Sequence, residues 1–238
     1  MDMIDELQKL IDEANNIVVF SGAGVSTLSG IKDFRSPDGL YSMKYDYPPE
    51  YMLSHTCLVN DTEEFFKFYR EYLNCLKYEP NIIHNYLKVL EDRGKNISIV
   101  TQNIDGLHTK AKSSMVFEIH GSVYRNYCSK CGKKYDEHYI FDSKDIPRCS
   151  CGGIVRPDVV LYGETLPDDE LNNSIDMIRH ADLMLVIGTS LTVYPAADLI
   201  NFFNGKSLVI INRDTTNFDN RADLVINKDL GEVFKKLK

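Results

Sequence analysis

"VVFSGAGVSTLSGIKDFRSPDG", Val18 to Gly39, sets glycines and small polar residues directly behind an apolar run and then isolates Asp33, Phe34 and Arg35. The run "NIVVF" before the glycines is short, apolar and β-branched, which reads as a buried strand. It follows a segment in which Ile4, Leu7, Ile11 and Ala14 share one helical face. A buried strand ending in Gly22-Ala23-Gly24 is a place where turn amides can approach a pyrophosphate. An ordinary tight turn is the other reading of the same glycines. The dinucleotide fingerprint asks for a small residue three places after the second glycine, where Thr27 stands, with the next glycine at Gly30. No acidic residue closes a second strand at the expected distance, and Asp38 falls in a loop. A hydride-transfer dehydrogenase is therefore a poor fit.

Similar runs recur at "NISIVTQN", "MVFEIHG", "DVVLYGE", "DLMLVIGTS", "SLVIIN" and "DLVI", mostly separated by helical patterns such as Leu166 to His180 and Tyr194 to Phe203. Continuous rather than alternating apolar strands predict an α/β fold with a doubly wound, Rossmann-like parallel sheet covered on both faces. Two stretches break the rhythm. One has a Pro- and Tyr-rich loop and a helix starting near Asp61 or Thr62 that buries Phe65, Phe68, Tyr69, Tyr72, Leu73 and Leu76. The other holds four cysteines. This gives a large domain from residues 1–34, 80–121 and 157–238, and a small domain from 35–79 and 122–156, a helical module plus a ribbon.

The four cysteines are Cys128-x2-Cys131, seventeen residues, then Cys149-x-Cys151, a spacing for one structural tetrathiolate zinc. Cys57 and Cys75 sit among apolar residues and read as small buried hydrophobes. The 27 Lys and Arg against 35 Asp and Glu give a net charge of −8, which argues against nucleic acid and anionic membranes as partners. No apolar run is long enough to span a bilayer, and Met1 to Asn16 lacks the basic start of a signal peptide, so the expected location is cytoplasmic.

Polar residues gather where the strands end. "TQNIDGLH" offers Gln102, Asn103 and Asp105, "FEIHGS" offers His120, "IGTSLTVYPAA" offers Thr189 and Ser190, and "INRD" offers Asn212. Strand ends are where an open α/β sheet meets its ligand. Each cluster also has a structural reading, as an Asx turn, a helix cap or a packed histidine.

Taken in order with the four cysteines and "RPDVVLYGE", these stretches resemble the sirtuin family of NAD-dependent protein deacylases almost end to end. The resemblance implies a cofactor site in which Ala23 and Thr27 meet the phosphate and ribose region. In the family, the Asp-Phe-Arg segment belongs to a loop over the nicotinamide ribose, so Phe34 would shield that ribose and Arg35 approach the phosphates. Gln102 and Asn103 would hold the ribose, with Ile104 and Asp105 forming the nicotinamide pocket. Thr189 and Ser190 would contact phosphate and adenosine ribose, Asn212 the adenine ribose, and Asp229 the same region mainly through its backbone. His120 would be the general base, with Asn103 beside it in the catalytic set. Val160, Tyr162, Gly163 and Glu164 would form a strand against an acetylated protein or peptide bound in extended form, with Val193 on the opposite edge. The expected products are nicotinamide, O-acetyl-ADP-ribose and free lysine, from a monomeric enzyme.

Three departures stand out. Lys32 replaces the usual proline, Tyr162 replaces the commoner phenylalanine, and the second cysteine pair is one residue shorter than usual. A mono-ADP-ribosyltransferase, an NAD glycohydrolase and a non-catalytic NAD-binding zinc-ribbon module remain as alternatives. Family members that prefer succinyl-lysine carry a Tyr-x-x-Arg pair in the small lobe. In "SPDGLYSMKYDYPPEYMLSH" Lys44 is the only lysine or arginine, so acetyl-lysine is expected to be preferred.

Overall fold

The computed structural model describes residues 2–34, 39–42 and 47–238. Six strands form one parallel sheet: β1 (Asn16–Ser21), β2 (Asn96–Thr101), β3 (Val116–Glu118), then, after three strands that lie elsewhere, β7 (Leu183–Ile187), β8 (Ser207–Ile211) and β9 (Leu224–Ile226), in the order β3-β2-β1-β7-β8-β9. The sheet is the doubly wound one that the apolar runs predict. Alternate residues of each strand face opposite layers. Ile17 and Val19 join the helices Met3–Glu13 and Ile82–Asp92 on one side, while Val18 and Phe20 meet the layer built on Ile178 and Ile200. Burial on both faces explains why the strands carry no polar alternation.

The three intervening strands, β4 (Gly121–Cys128), β5 (Lys134–Tyr135) and β6 (Val155–Val159), make a separate antiparallel sheet in the order β5-β4-β6. This corrects the reading of "DVVLYGE" as a strand of the parallel sheet. Its beginning is the end of β6, paired with β4, and its remainder is irregular, touching Ser54 through a single parallel bridge at Tyr162. An apolar run specifies burial without specifying which sheet buries it.

The helix Thr62–Tyr72 begins where expected and buries Phe65, Phe68 and Tyr69, together with Phe66, which the sequence reading omitted. Tyr72 and Leu76 are only partly buried. These aromatics pack in one cluster with Val123, Cys128, Cys149, Val155 and Leu161, so helical module and cysteine ribbon share a single core. The Tyr194–Phe203 pattern resolves as a 3-10 helix, Ala196–Phe202.

Candidate active site

β1 and β7 are neighbours, and the chain leaves them in opposite directions, toward β2 and β8 respectively. The ends of β1 and β7 therefore define the topological switch point of the sheet, where an open α/β fold has its crevice. The two turns there are packed on each other. Gly24 N–H donates to Gly188 O at 2.9 Å, a Cβ on Gly22 would lie 2.7 Å from the Thr189 Cβ, and one on Gly24 2.8 Å from the Gly188 Cα. The glycines that the sequence suggested for ligand approach are thus already required by the facing turn.

From this base the β1 turn is joined to the β2 turn by one relay. The Asn103 side-chain amide donates to Gly22 O at 3.1 Å and to Ser26 Oγ at 3.2 Å, and Ser26 Oγ donates to Asp105 Oδ2 at 2.6 Å. Leu107 N–H donates to the other Asp105 oxygen at 2.9 Å. Burial raises the Asp105 carboxyl above its ordinary range, while the Ser26 and Leu107 donors pull it back. Gln102 reaches across the switch point, its Nε2 donating to Thr189 Oγ1 at 3.0 Å. Gln102, Asn103, Asp105 and Thr189 are therefore linked to the paired turns after β1 and β7. Ile104 packs on the smaller lobe's core.

Ser26 was not among the expected residues. Its neighbour Thr27, which the resemblance does implicate, is exposed and donates to Gly24 O at 2.9 Å. The short 3-10 turn sends Ser26 inward and Thr27 outward, a difference that composition does not reveal. Ala23, between the two glycines, is half-buried. Beneath the relay lies another unexpected pair. His84 and His108 are buried with ring centroids 4.7 Å apart, and His108 Nε2 lies 3.1 Å from Ser21 Oγ.

His120 follows β3 and precedes β4. Its Nδ1 is 3.0 Å from Gln102 O. A carbonyl only accepts, so the hydrogen bond assigns the proton of the neutral ring to Nδ1 and leaves the Nε2 lone pair free. Burial lowers the His120 pKa, the Gln102 carbonyl working the other way. The imidazole is thus a neutral base at ordinary pH. Gly121 fixes the turn behind it, with φ at +78° and a Cβ that would stand 1.9 Å from Asp158 O.

The segment proposed to meet a peptide, Val160 to Glu164, is anchored along one edge. Val160 N–H donates to His120 O at 2.9 Å, Tyr162 N–H to Leu53 O at 3.0 Å, and His55 N–H to Tyr162 O at 3.0 Å. Glu164 is clamped by the Arg156 guanidinium, the Leu161 amide and His55. Burial opposes its charge, but these partners hold its carboxyl at about 2. Gly163 is exposed, with φ at +88°. Val193 accepts from Ala197 N–H at the start of the 3-10 helix, at 2.8 Å.

Other expected residues lie apart from the relay. Ser190 Oγ pairs with Thr192 Oγ1 at 2.8 Å, and Asn212, at the end of β8, donates to Asp214 O at 2.9 Å. The Asp229 carboxylate caps the final helix through Gly231 N–H and Glu232 N–H. Phe34 packs on the smaller lobe. Arg35 and Lys44 lie outside the described residues.

Cys128, Cys131, Cys149 and Cys151 bring four sulfurs within 4.8 Å of one another, with Cys128 to Cys151 at 3.5 Å and Cys131 to Cys149 at 3.6 Å. Sulfurs about 2.3 Å from one tetrahedral zinc ion stand roughly 3.8 Å apart, so the shortened second pair still fits a zinc. With four thiolates as ligands, the ion has no open position for a catalytic water.

These features define a protein with a doubly wound sheet, a crevice at its switch point, a strand-end histidine and a four-cysteine ribbon. The Sir2 family model matches residues 22–195, and the chain belongs to the Sir2 family. It is 53% identical, over 99% of its length and 98% of the relative's, to the NAD-dependent protein deacetylase of Clostridium acetobutylicum. It is similar to a solved structure of Sir2 with a deacetylated p53 peptide and 3'-O-acetyl ADP-ribose, with a TM-score of 0.90 and 39% identity over 98% of this chain and 96% of that one. A Sir2 structure with p53 peptide and NAD+ matches with a TM-score of 0.87 and 39% identity over 99% and 97% of the two chains.

Proposed function

We propose that this protein is an NAD-dependent protein-lysine deacetylase acting on acetylated peptides held as an extended strand. The observation that carries the reading is His120, whose Nδ1 is committed to Gln102 O while Nε2 is left free beside the crevice. NAD, when bound, supplies a nicotinamide leaving group and a ribose that accepts the acetyl group.

The chain's own residues divide the work. Ala23, Thr27, Phe34, Arg35, Gln102, Ile104, Asp105, Thr189, Ser190, Asn212 and Asp229 would hold the cofactor. Asp105 presents carboxylate oxygens to an amide donor, and its alternative partner, Ser26 Oγ, stays within 2.6 Å. Asn103 keeps Gly22 and Ser26 in register, so the turn that meets the cofactor is positioned from β2. His120 accepts a proton at Nε2, and its lowered pKa keeps it unprotonated below the usual histidine range. Val160, Tyr162, Gly163 and Glu164, with Val193, would receive the peptide main chain. Phe34 excludes water. Cys128, Cys131, Cys149 and Cys151 would hold one structural zinc, which shapes the lobe and leaves proton transfer to His120. A tetrathiolate site suits a reducing compartment, which supports a cytoplasmic enzyme.

Mass spectrometry of the products from NAD and an acetyl-lysine peptide tests this. Nicotinamide, free lysine and O-acetyl-ADP-ribose are expected in equal amounts, and His120→Ala should lower turnover by about 10²-fold or more with the fold intact. Label from NAD retained on protein, or NAD consumption without peptide, would point instead to ADP-ribosyl transfer or hydrolysis. Succinyl-lysine in the same assay should give a much lower kcat/KM.

A further inference from the structure

Residues 33–34 lie beside residues 40–41. Leu40 N–H donates to Asp33 O at 2.9 Å and Tyr41 N–H to Phe34 O at 2.8 Å, two rungs that close a neck. The Phe34 and Tyr41 rings meet edge to face, with centroids 5.7 Å apart. From this neck the Tyr41 hydroxyl extends to the Tyr162 hydroxyl, 2.5 Å away and 121 residues on in sequence. Tyr162 offers a fixed post, because Leu53 O and His55 N–H hold its backbone on both sides.

Two physical points give the contact a role. Tyr162 is 40% exposed, so water could satisfy its hydroxyl, and burial does not force the pair together. A hydrogen bond in such a place contributes only a small net free energy, enough to bias a position and too little to staple one. The two ends also belong to different tasks. Phe34 and Tyr41 stand at the neck of the segment that would shield the cofactor, and Tyr162 stands on the segment that would receive the peptide.

We propose that the Tyr41–Tyr162 hydroxyl pair is a latch coupling the two substrates: it ties the neck to the peptide-binding segment, so that occupation of one side biases the other. The proposal rests on the functional reading above. By linkage, whatever factor NAD lends to peptide affinity, peptide lends to NAD affinity, and the latch carries part of that factor. Both are positioning residues.

The test uses the full chain with Tyr41→Phe, Tyr162→Phe and the double variant. Each removes one hydroxyl and keeps the ring. Hydrogen–deuterium exchange of the free protein should speed up at the Leu40 and Tyr41 amides by about three- to tenfold, the scale of one hydrogen bond. The double variant should lose less than the sum of the two single ones, because the contact between the two hydroxyls is shared by both changes. Peptide affinity is then measured with and without ADP-ribose, which binds without turnover. The ratio of the two affinities should fall by the same few-fold factor in all three variants. Unchanged exchange, or additive effects in the double variant, overturns the latch. A wild-type protein that binds both ligands while the variants keep its full coupling also overturns it. If wild type binds neither ligand, the functional reading fails and the coupling fails with it, whatever the exchange shows.

Discussion

In the parallel sheet, Val18, Val19, Phe20, Met184, Leu185 and Val186 are all buried by helices on two faces, and no polar side chain is needed to hold those strands together. The smaller sheet has three strands, one of only two residues, and its core combines the aromatic face of Thr62–Tyr72 with Cys128 and Cys149. The first region is stable through apolar area; the second carries two of its four candidate metal ligands inside its core. The chemistry follows the same division. The relay through Asn103, Ser26 and Asp105 stands on the turns of the parallel sheet, whereas Leu161 and Phe34 pack on the core of the smaller lobe.

Removing metal gives the largest effect expected. Structural zinc sites contribute on the order of 10 kcal/mol in small peptides, more than any single side chain supplies. Chelation, or Cys128→Ala or Cys151→Ala, should abolish amide protection in β4, β5, β6 and the helix Thr62–Tyr72 while leaving β1, β2, β7 and β8 protected. Activity should fall to background, because Val160 to Glu164, the segment proposed to receive the peptide, hangs from β6 and from Leu53 and His55. Hydrogen exchange resolved by region, with the zinc content measured, checks this. Equal loss of protection in both sheets would show that they fold as one unit.

Acid should act on the other region. Burial lowers the His84 pKa from 6.5 to about 4, and burial beside His84 lowers His108 as well. Both are bases with depressed values in the folded state, so the unfolded chain takes up the proton first as pH falls. Their contribution is complete above about pH 6.5 and is lost progressively toward pH 4. The His84 shift alone corresponds to about 3 kcal/mol by the low end of that window. Urea unfolding at pH 7.5, 5.5 and 4.5 should show the loss, and His84→Gln should flatten it. A pH-independent midpoint across that range would mean that the pair stays hydrated or opens locally.

The two regions also differed in how much the sequence revealed. Continuous apolar runs specify a buried parallel strand, so five of the six runs quoted after "NIVVF" contain strands of the parallel sheet, and paired cysteines at ligand spacing mark the ribbon. The run "DVVLYGE" failed because it has the same composition as the others, and its assignment depends on β4, which is neither apolar nor regular. Inside the site, residue types at strand ends were informative, yet inward and outward neighbours on a 3-10 turn were not separable, which hid Ser26 behind Thr27. His84 was hidden in a helix pattern. Its ring accepts from Asn81 N–H at 3.2 Å in a capping box, a local bond that "PNIIH" could have suggested.

Two glycines with similar backbones give the finest comparison. Gly121 and Gly163 both have left-handed φ, +78° and +88°, and they lie at either end of the connection from His120 through β6 to the peptide segment. At Gly121 a Cβ would strike Asp158 O at 1.9 Å, so alanine there must move β4 or β6. At Gly163 a Cβ meets nothing within 4 Å, and alanine costs only the left-handed strain of roughly 1–2 kcal/mol. Gly163→Ala should therefore lower Tm by a few degrees and keep its zinc. If an extended peptide lies along this segment, the new methyl group on an exposed residue should also raise the peptide KM by a few-fold, with NAD binding unchanged. The same substitution at Gly121 should lose stability and NAD binding together, since His120 precedes it. An unaltered peptide KM in Gly163→Ala would place the peptide elsewhere and leave the clamp on Glu164 with a purely structural task.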